Sequence, residues 1–314
     1  MTTHQSAGIE CGAGDEQSLT FKAYPNRETH LGALQISRAL PIRERRMVGP
    51  WCFLDRFGPL NFKDERPMSV PPHPHIGLQT VTWLLEGEAL HTDSLNSEAV
   101  ILPGGVNVMT AGQGIAHAEE TPLKNSGRLS GVQLWVALLD EHRHIPPAFT
   151  SVMQVPLLEI AGCLIKLFAG TYHSMTTSTA YFSELLGMEV EVHARQSTTL
   201  ELNPQFEHAV LLLDGDCVLE AQPLLQKTLY DLGTCRESLD LNSHSGGRLL
   251  LIGGLPFPEK ILMWWNFVAR TPEELSQARA DWEAHRRFGE VRGTQLERLS
   301  APDLAHVAQP NPIS

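Results

Sequence analysis

The chain has 314 residues, 42% of them hydrophobic, with 24 Lys plus Arg against 36 Asp plus Glu and a formal net charge of −12. An acidic field of that size excludes a broad phosphate-binding surface, and the densest basic cluster, Arg43-Glu44-Arg45-Arg46, is short, so no direct nucleic-acid binding is expected. No apolar run reaches the roughly 18 residues needed to span a membrane. The stretch from Met1 to Asp15 lacks the basic and apolar regions of a secretory signal, so a cytoplasmic protein is expected.

Residues 1–18 read as a flexible tail. From Leu19 onward, short apolar runs are broken by Gly, Pro and Asn, with 25 Gly and 21 Pro in the chain. That rhythm predicts an all-β protein with many turns. The runs Leu78 to Leu85, Val132 to Leu139, Leu164 to Ala169 and Leu249 to Ile252 are clear strands. The five cysteines, Cys11, Cys52, Cys163, Cys217 and Cys235, are scattered and form no CxxC, so free and mostly buried thiols are expected. No GxGxxG follows a strand, and neither a P-loop nor a GxSxG elbow occurs, so dinucleotide, nucleotide and serine-hydrolase chemistry have no anchor.

An internal repeat sets the organisation. Trp83-Leu84-Leu85-Glu86-Gly87-Glu88-Ala89-Leu90 resembles Leu211-Leu212-Leu213-Asp214-Gly215-Asp216-Cys217-Val218, an apolar strand, an acidic-Gly-acidic turn and a returning strand. Two copies of one β-sandwich are expected, at 19–148 and 149–293, with His144-Ile145-Pro146-Pro147 as linker and 294–314 as an extension. One helix is signalled near the end. Thr271 can cap it, Pro272 suits its first turn, Glu274 completes a capping box, and Gly289 would close it. Met263-Trp264-Trp265-Asn266-Phe267 reads as a buried aromatic strand before it.

The chemistry lies in Pro72-His73-Pro74-His75 and Gly114-Ile115-Ala116-His117-Ala118-Glu119. In extended chain, residues two apart share a face, so each pair aims two ligands one way. Among 14 histidines an isolated His-x-His could be a loop pair; the second pair, led by the turn Gly112-Gln113-Gly114, gives it weight. Three imidazole nitrogens and one carboxylate oxygen suit a divalent first-row metal. Carried along the repeat, the ligands fall on Glu201, Asn203, Ser245 and Gly247, so only the first half should bind metal.

These residues, together with Gly49-Pro50-Trp51, Leu54-Asp55-Arg56-Phe57-Gly58-Pro59, Met109-Thr110-Ala111-Gly112-Gln113 and Trp264-Trp265-Asn266-Phe267-Val268, resemble the pirin family of the cupin superfamily. The resemblance implies two stacked cupin jelly-rolls. It also implies one metal, usually iron, held in the first by His73, His75, His117 and Glu119. Mn, Ni, Co, Cu or Zn would also accept such a site. Several pirins resemble quercetin 2,3-dioxygenases and show that activity, with a small aromatic or enolic substrate and dioxygen. Others act as regulatory proteins through a protein partner. In a dioxygenase, Glu119 would accept a substrate proton, and Asp55, Met109, Gln133 and Trp135 are candidates for the pocket wall. Met109 and Trp135 would serve equally as core, and Asp55 could pair with Arg56 or Arg46. The family often has Arg-Gly-Phe-Glu-Thr after His-Pro-His. Here Ile76-Gly77-Leu78-Gln79-Thr80 stands instead, which predicts less polar surroundings for the site.

Overall fold

The computed structural model describes residues 21–31, 34–63 and 65–304. Four antiparallel sheets build two sandwiches. In the first half a seven-stranded sheet runs, in spatial order, Ala148–Val152, Val106–Thr110, Leu78–Gly87, Arg128–Ala137, Trp51–Asn61, Leu34–Leu40 and Arg27–Leu31. It packs on a four-stranded sheet of Ser69–His75, Ile115–Glu120, Ala89–Asp93 and Glu98–Ile101. The second half repeats the plan. Its large sheet centres on Glu207–Gly215, Gly247–Gly254 and Leu185–Val192, and its small sheet on Gln196–Glu201 and Ser238–Ser243.

Strand parity explains which residues reach the site. Leu78–Gly87 is buried on both faces through Leu85. Val81, Trp83 and Leu85 join Val132, Leu134 and Val136 of the neighbouring strand in one apolar cluster with Phe168, Leu211, Leu250 and Ile252 of the second half. The alternate residues therefore face the interior of the first sandwich. Thr82 lies opposite Gln133 and Thr80 opposite Trp135. The same alternation puts Leu54 in the joint between halves and Phe53 inside, and a bulge at Cys52, which no residue of the neighbouring strand opposes, turns Trp51 to the joint as well.

The joint is anchored by polar contacts as well as by area. The Trp51 indole N–H lies 3.0 Å from the Gly253 carbonyl and 3.2 Å from that of Leu186. The Trp83 indole donates to Glu189 at 2.8 Å, and Lys166 holds the other Glu189 oxygen at 2.8 Å. An indole N–H buried there without an acceptor would cost about 1–3 kcal/mol.

The halves exchange their ends. Lys22–Pro25 pairs with Thr228–Gly233 of the second sandwich. After Gly254 the chain returns to the first, where Phe267 bridges Ile76 and Trp264, Phe267, Trp282 and Phe288 pack on Ile76 and Ala116. Ala148–Val152 pairs with Val106–Thr110, so the first large sheet reaches Val152. The expected tail at 1–18 lies outside the described residues.

The expected aromatic strand is instead a hairpin. Leu262–Trp264 pairs with Phe267–Ala269, and Trp265, at φ 52°, makes the turn. The helix forms at Pro272–Glu283, with the Thr271 hydroxyl accepting from the Glu274 N–H at 3.2 Å. It stops short of Gly289 because His285 and Arg287 adopt positive φ, which turns Phe288 in to stack on Phe267 at 5.8 Å. Cys52, Cys163 and Cys217 are free and buried, and Cys11 lies outside the described residues.

Candidate metal centre

The two ligand stretches are neighbouring antiparallel strands, with His117 opposite His73 and Ile115 opposite His75. Beyond His117 the register shifts, so that Glu119 faces Val70. The surplus residue falls at Pro71-Pro72. Proline lacks the N–H that a regular ladder needs, so a bulge forms there at little cost. It turns the Pro71 carbonyl back onto the His73 ring, 2.8 Å from Nδ1.

His73, His75 and His117 offer three ligand nitrogens within 4.8 Å of one another. Each ring is oriented from behind. A carbonyl can only accept, so Pro71 fixes the proton of His73 on Nδ1, and the Asn266 carbonyl, 3.1 Å away, does the same for His75. His117 Nδ1 lies 3.4 Å from His91 Nδ1, and His91 Nε2 lies 3.1 Å from an Asp93 oxygen. The Nε2 atoms of His75 and His117 then face each other at 3.0 Å. Two lone pairs at that distance repel unless a cation or a proton lies between them. With nitrogen-to-metal distances of roughly 2.1 Å, such a pair fits adjacent positions on one ion. Burial holds His73 down at about 4, and burial and the neighbouring imidazoles push His75 and His117 well below the usual value. The rings are therefore neutral near pH 7, the state that ligation requires. The donor set fits a divalent metal.

Glu119 is also buried, and burial raises its carboxyl pKa. Its carboxylate is not part of the 4.8 Å group; it accepts from the Thr82 hydroxyl at 3.3 Å and lines the same cavity. That cavity holds about 420 Å³. Phe53 and Trp135, stacked face to face at 4.0 Å and 13°, both line it, and the Arg38 guanidinium lies over the Phe53 ring at 4.6 Å. Arg38 grips both Asp55 oxygens at 2.8 Å, so Asp55 pairs with neither Arg56 nor Arg46. Burial nevertheless raises the Asp55 pKa against that pairing. Leu34, Ile36, Met68 and Val70 line the apolar side, and Trp265, Asn266 and Leu299 come from the returning C-terminal arm.

Of the residues predicted for the wall, Asp55, Gln133 and Trp135 line the cavity and Met109 does not. Met109 follows the same inward parity as Trp135, opposite Thr80, but lies in the core with Cys52, Leu78 and Ile115. Neither Ile76 nor Gln79 lines the cavity, so the departure after His-Pro-His does not make the site less polar. Ile76 packs under Phe267, and the Gln79 amide donates to Thr110 and the Ala180 carbonyl. Sequence reasoning missed Arg38, Asn266, His91 and Asp93. Only His91-Thr92-Asp93 carries a signal, being a third period-two pair on one strand face.

Three comparisons bear on this site. The family described as Pirin matches residues 33–136, and the Pirin C-terminal cupin domain matches residues 187–289. A Pseudomonas aeruginosa protein, provisionally named quercetin 2,3-dioxygenase, is 42% identical over 274 residues, 87% of each chain. A pirin-like protein of Caulobacter vibrioides is 36% identical over 92% of this chain and 96% of its own. The crystal structure of a quercetin 2,3-dioxygenase from Acinetobacter baumannii superposes with a TM-score of 0.88 at 39% identity, covering 92% of this chain and 97% of that one.

Proposed function

Because this chain belongs to the pirin family, with two tandem cupin domains, we propose that its first domain is a metal-dependent dioxygenase centre for a flavonol or related planar enol or phenol. The observation that carries the proposal is the convergence of three neutral, pre-oriented imidazoles at one side of an aromatic-walled cavity that also holds a carboxylate. His73, His75 and His117 would hold one divalent ion, Fe(II) first among Mn, Ni, Co, Cu and Zn, with Glu119 as fourth ligand. When bound, that ion would supply Lewis acidity to a coordinated substrate hydroxyl and hold it beside dioxygen.

The chain's own residues divide the remaining work. Glu119, with its pKa raised by burial and its carboxylate steadied by Thr82, is suited to accept the hydroxyl proton. The stacked Phe53 and Trp135 line the cavity with aromatic surface that suits a planar ring. Gln133, whose side-chain oxygen lies 3.0 Å from the Thr82 hydroxyl and shares its one proton with Glu119, has its amide N–H groups left for a substrate oxygen. Trp265 and Leu299 line the cavity from the C-terminal arm and add apolar surface to it.

The test is oxygen consumption with quercetin and related flavonols, using apoprotein reloaded with each metal in turn and His73→Ala alongside. Metal-dependent uptake that disappears in the variant is the expected result. Stoichiometric metal binding without uptake for any metal would refute the dioxygenase and favour a regulatory protein that acts on a partner.

A further inference from the structure

We infer that Asp93 and His91 are positioning residues that fix which nitrogen of His117 carries its proton, and so make His117 competent to take a metal. The inference rests on the metal site proposed above but concerns residues that touch neither metal nor substrate.

The argument runs through three groups in a line. Asp93 is fully buried, and one of its oxygens is committed to the backbone N–H groups of Leu95 and Ser97, at 2.8 and 2.9 Å. Its other oxygen faces His91 Nε2 at 3.1 Å. A carboxylate only accepts, so His91 Nε2 carries the proton and the neutral ring leaves Nδ1 as acceptor. That acceptor faces His117 Nδ1 at 3.4 Å, so the His117 proton sits on Nδ1 and its Nε2 lone pair points at His75. The His91 ring cannot turn over freely, because it lies flat on Phe149 at 4.1 Å and 5°. His73 and His75 owe their tautomers to backbone carbonyls. His117 alone depends on side chains, which makes its control open to mutation.

Asp93→Asn should invert the line. The Asn oxygen keeps the two backbone N–H groups, so its NH₂ faces His91 Nε2 and donates. The His91 proton then moves to Nδ1, His117 Nδ1 becomes the acceptor, and the His117 proton moves to Nε2. At 3.0 Å that N–H bonds to His75 Nε2 and closes the metal position. His91→Phe keeps the stack on Phe149 and removes the acceptor, so His117 again moves its proton to Nε2. This second variant leaves the Asp93 turn intact and serves if Asp93→Asn fails to fold.

Two readouts test the inference: imidazole ¹⁵N chemical shifts of the apoprotein, and Co(II) affinity by competition with a chelator. We expect His117 to shift from Nδ1–H to Nε2–H in each variant, and Co(II) affinity to fall about 10- to 100-fold. In the His91→Phe background, Asp93→Asn should cost nothing more. Retention of Nδ1–H on His117 in both variants would overturn the inference, as would an Asp93→Asn loss of equal size with and without His91. Wild-type protein that binds no Co(II) would sink the metal site instead, and the apoprotein tautomers would still judge the line.

Discussion

Gly77, two residues after His75, is where the ligand strand meets the returning C-terminal arm. Its φ is +68°, and a Cβ placed there would lie 2.2 Å from the Val268 carbonyl oxygen. That carbonyl must retreat by at least 0.8 Å to reach the 3.0 Å that real contacts respect. Val268 also donates its N–H to the Ile76 carbonyl at 3.1 Å, and Asn266, two residues earlier, holds His75. Gly104 is the natural control, since it has φ +90° with nothing within 4 Å of its Cβ position. Gly104→Ala carries the left-handed backbone cost alone, about 1 kcal/mol. Gly77→Ala adds the displaced carbonyl and a weakened hydrogen bond, for about 3 kcal/mol in all. At roughly 2–4 °C per kcal/mol for a chain of this class, thermal unfolding of the apoprotein should drop by about 6–12 °C against 2–4 °C. Only Gly77→Ala should also weaken Co(II) binding, through His75. Equal losses of stability in the two variants, or unchanged Co(II) affinity in Gly77→Ala, would refute the idea that the arm braces the site.

Three further outcomes are expected. Trp51→Phe removes the indole N–H that the Gly253 and Leu186 carbonyls share in the common core and should cost about 1–3 kcal/mol in urea unfolding. Calorimetry should still show one transition, and two separate transitions in the wild type would refute a core common to both halves. His208 is buried and its pKa is held at about 4 by burial and the Arg236 charge, so the unfolded chain binds its proton first as pH falls from 6.5. Folded stability is therefore complete above pH 6.5 and lost below it. His208→Leu should lose about 2 kcal/mol less than wild type between pH 7 and pH 5, and equal losses would contradict this assignment. Trp135→Leu removes half of the stacked aromatic pair that lines the cavity and should raise KM for a planar substrate several-fold with a smaller effect on kcat; an unchanged KM would remove Trp135 from substrate binding.

What was legible in the sequence was whatever depends on period. His-x-His and His-x-Glu declare a shared face by spacing alone, and the acidic-Gly-acidic turns declare the repeat. Parity also says that Gln133 and Trp135 point one way and Val132 and Leu134 the other. It cannot say how deep an inward residue lies, which is why Met109 faces inward and yet stays in the core behind the cavity. The Arg38–Asp55 pair depends on the register between Leu34–Leu40 and Trp51–Asn61, where Arg38 lies opposite Asp55. The helix end was misjudged because Gly289 looked like a stop, whereas Phe288 had to be turned inward first. The brace from Asn266 to His75 spans 191 positions, and no local pattern encodes a contact of that separation.

That separation has a consequence for synthesis. A ribosome adds residues in order, at about 5–20 per second, and a leading domain can close its core before the rest of the chain exists. Here every strand of the first sandwich is made while the carbonyl that sets the His75 ring is still untranslated, as are the Trp265 turn and Leu299, whose N–H binds the Pro72 carbonyl. A nascent first domain therefore presents a histidine of undefined tautomer in an uncovered pocket. A His75 ring held from behind therefore belongs to a chain that already includes the Trp265 turn and Leu299, and not to the nascent first half.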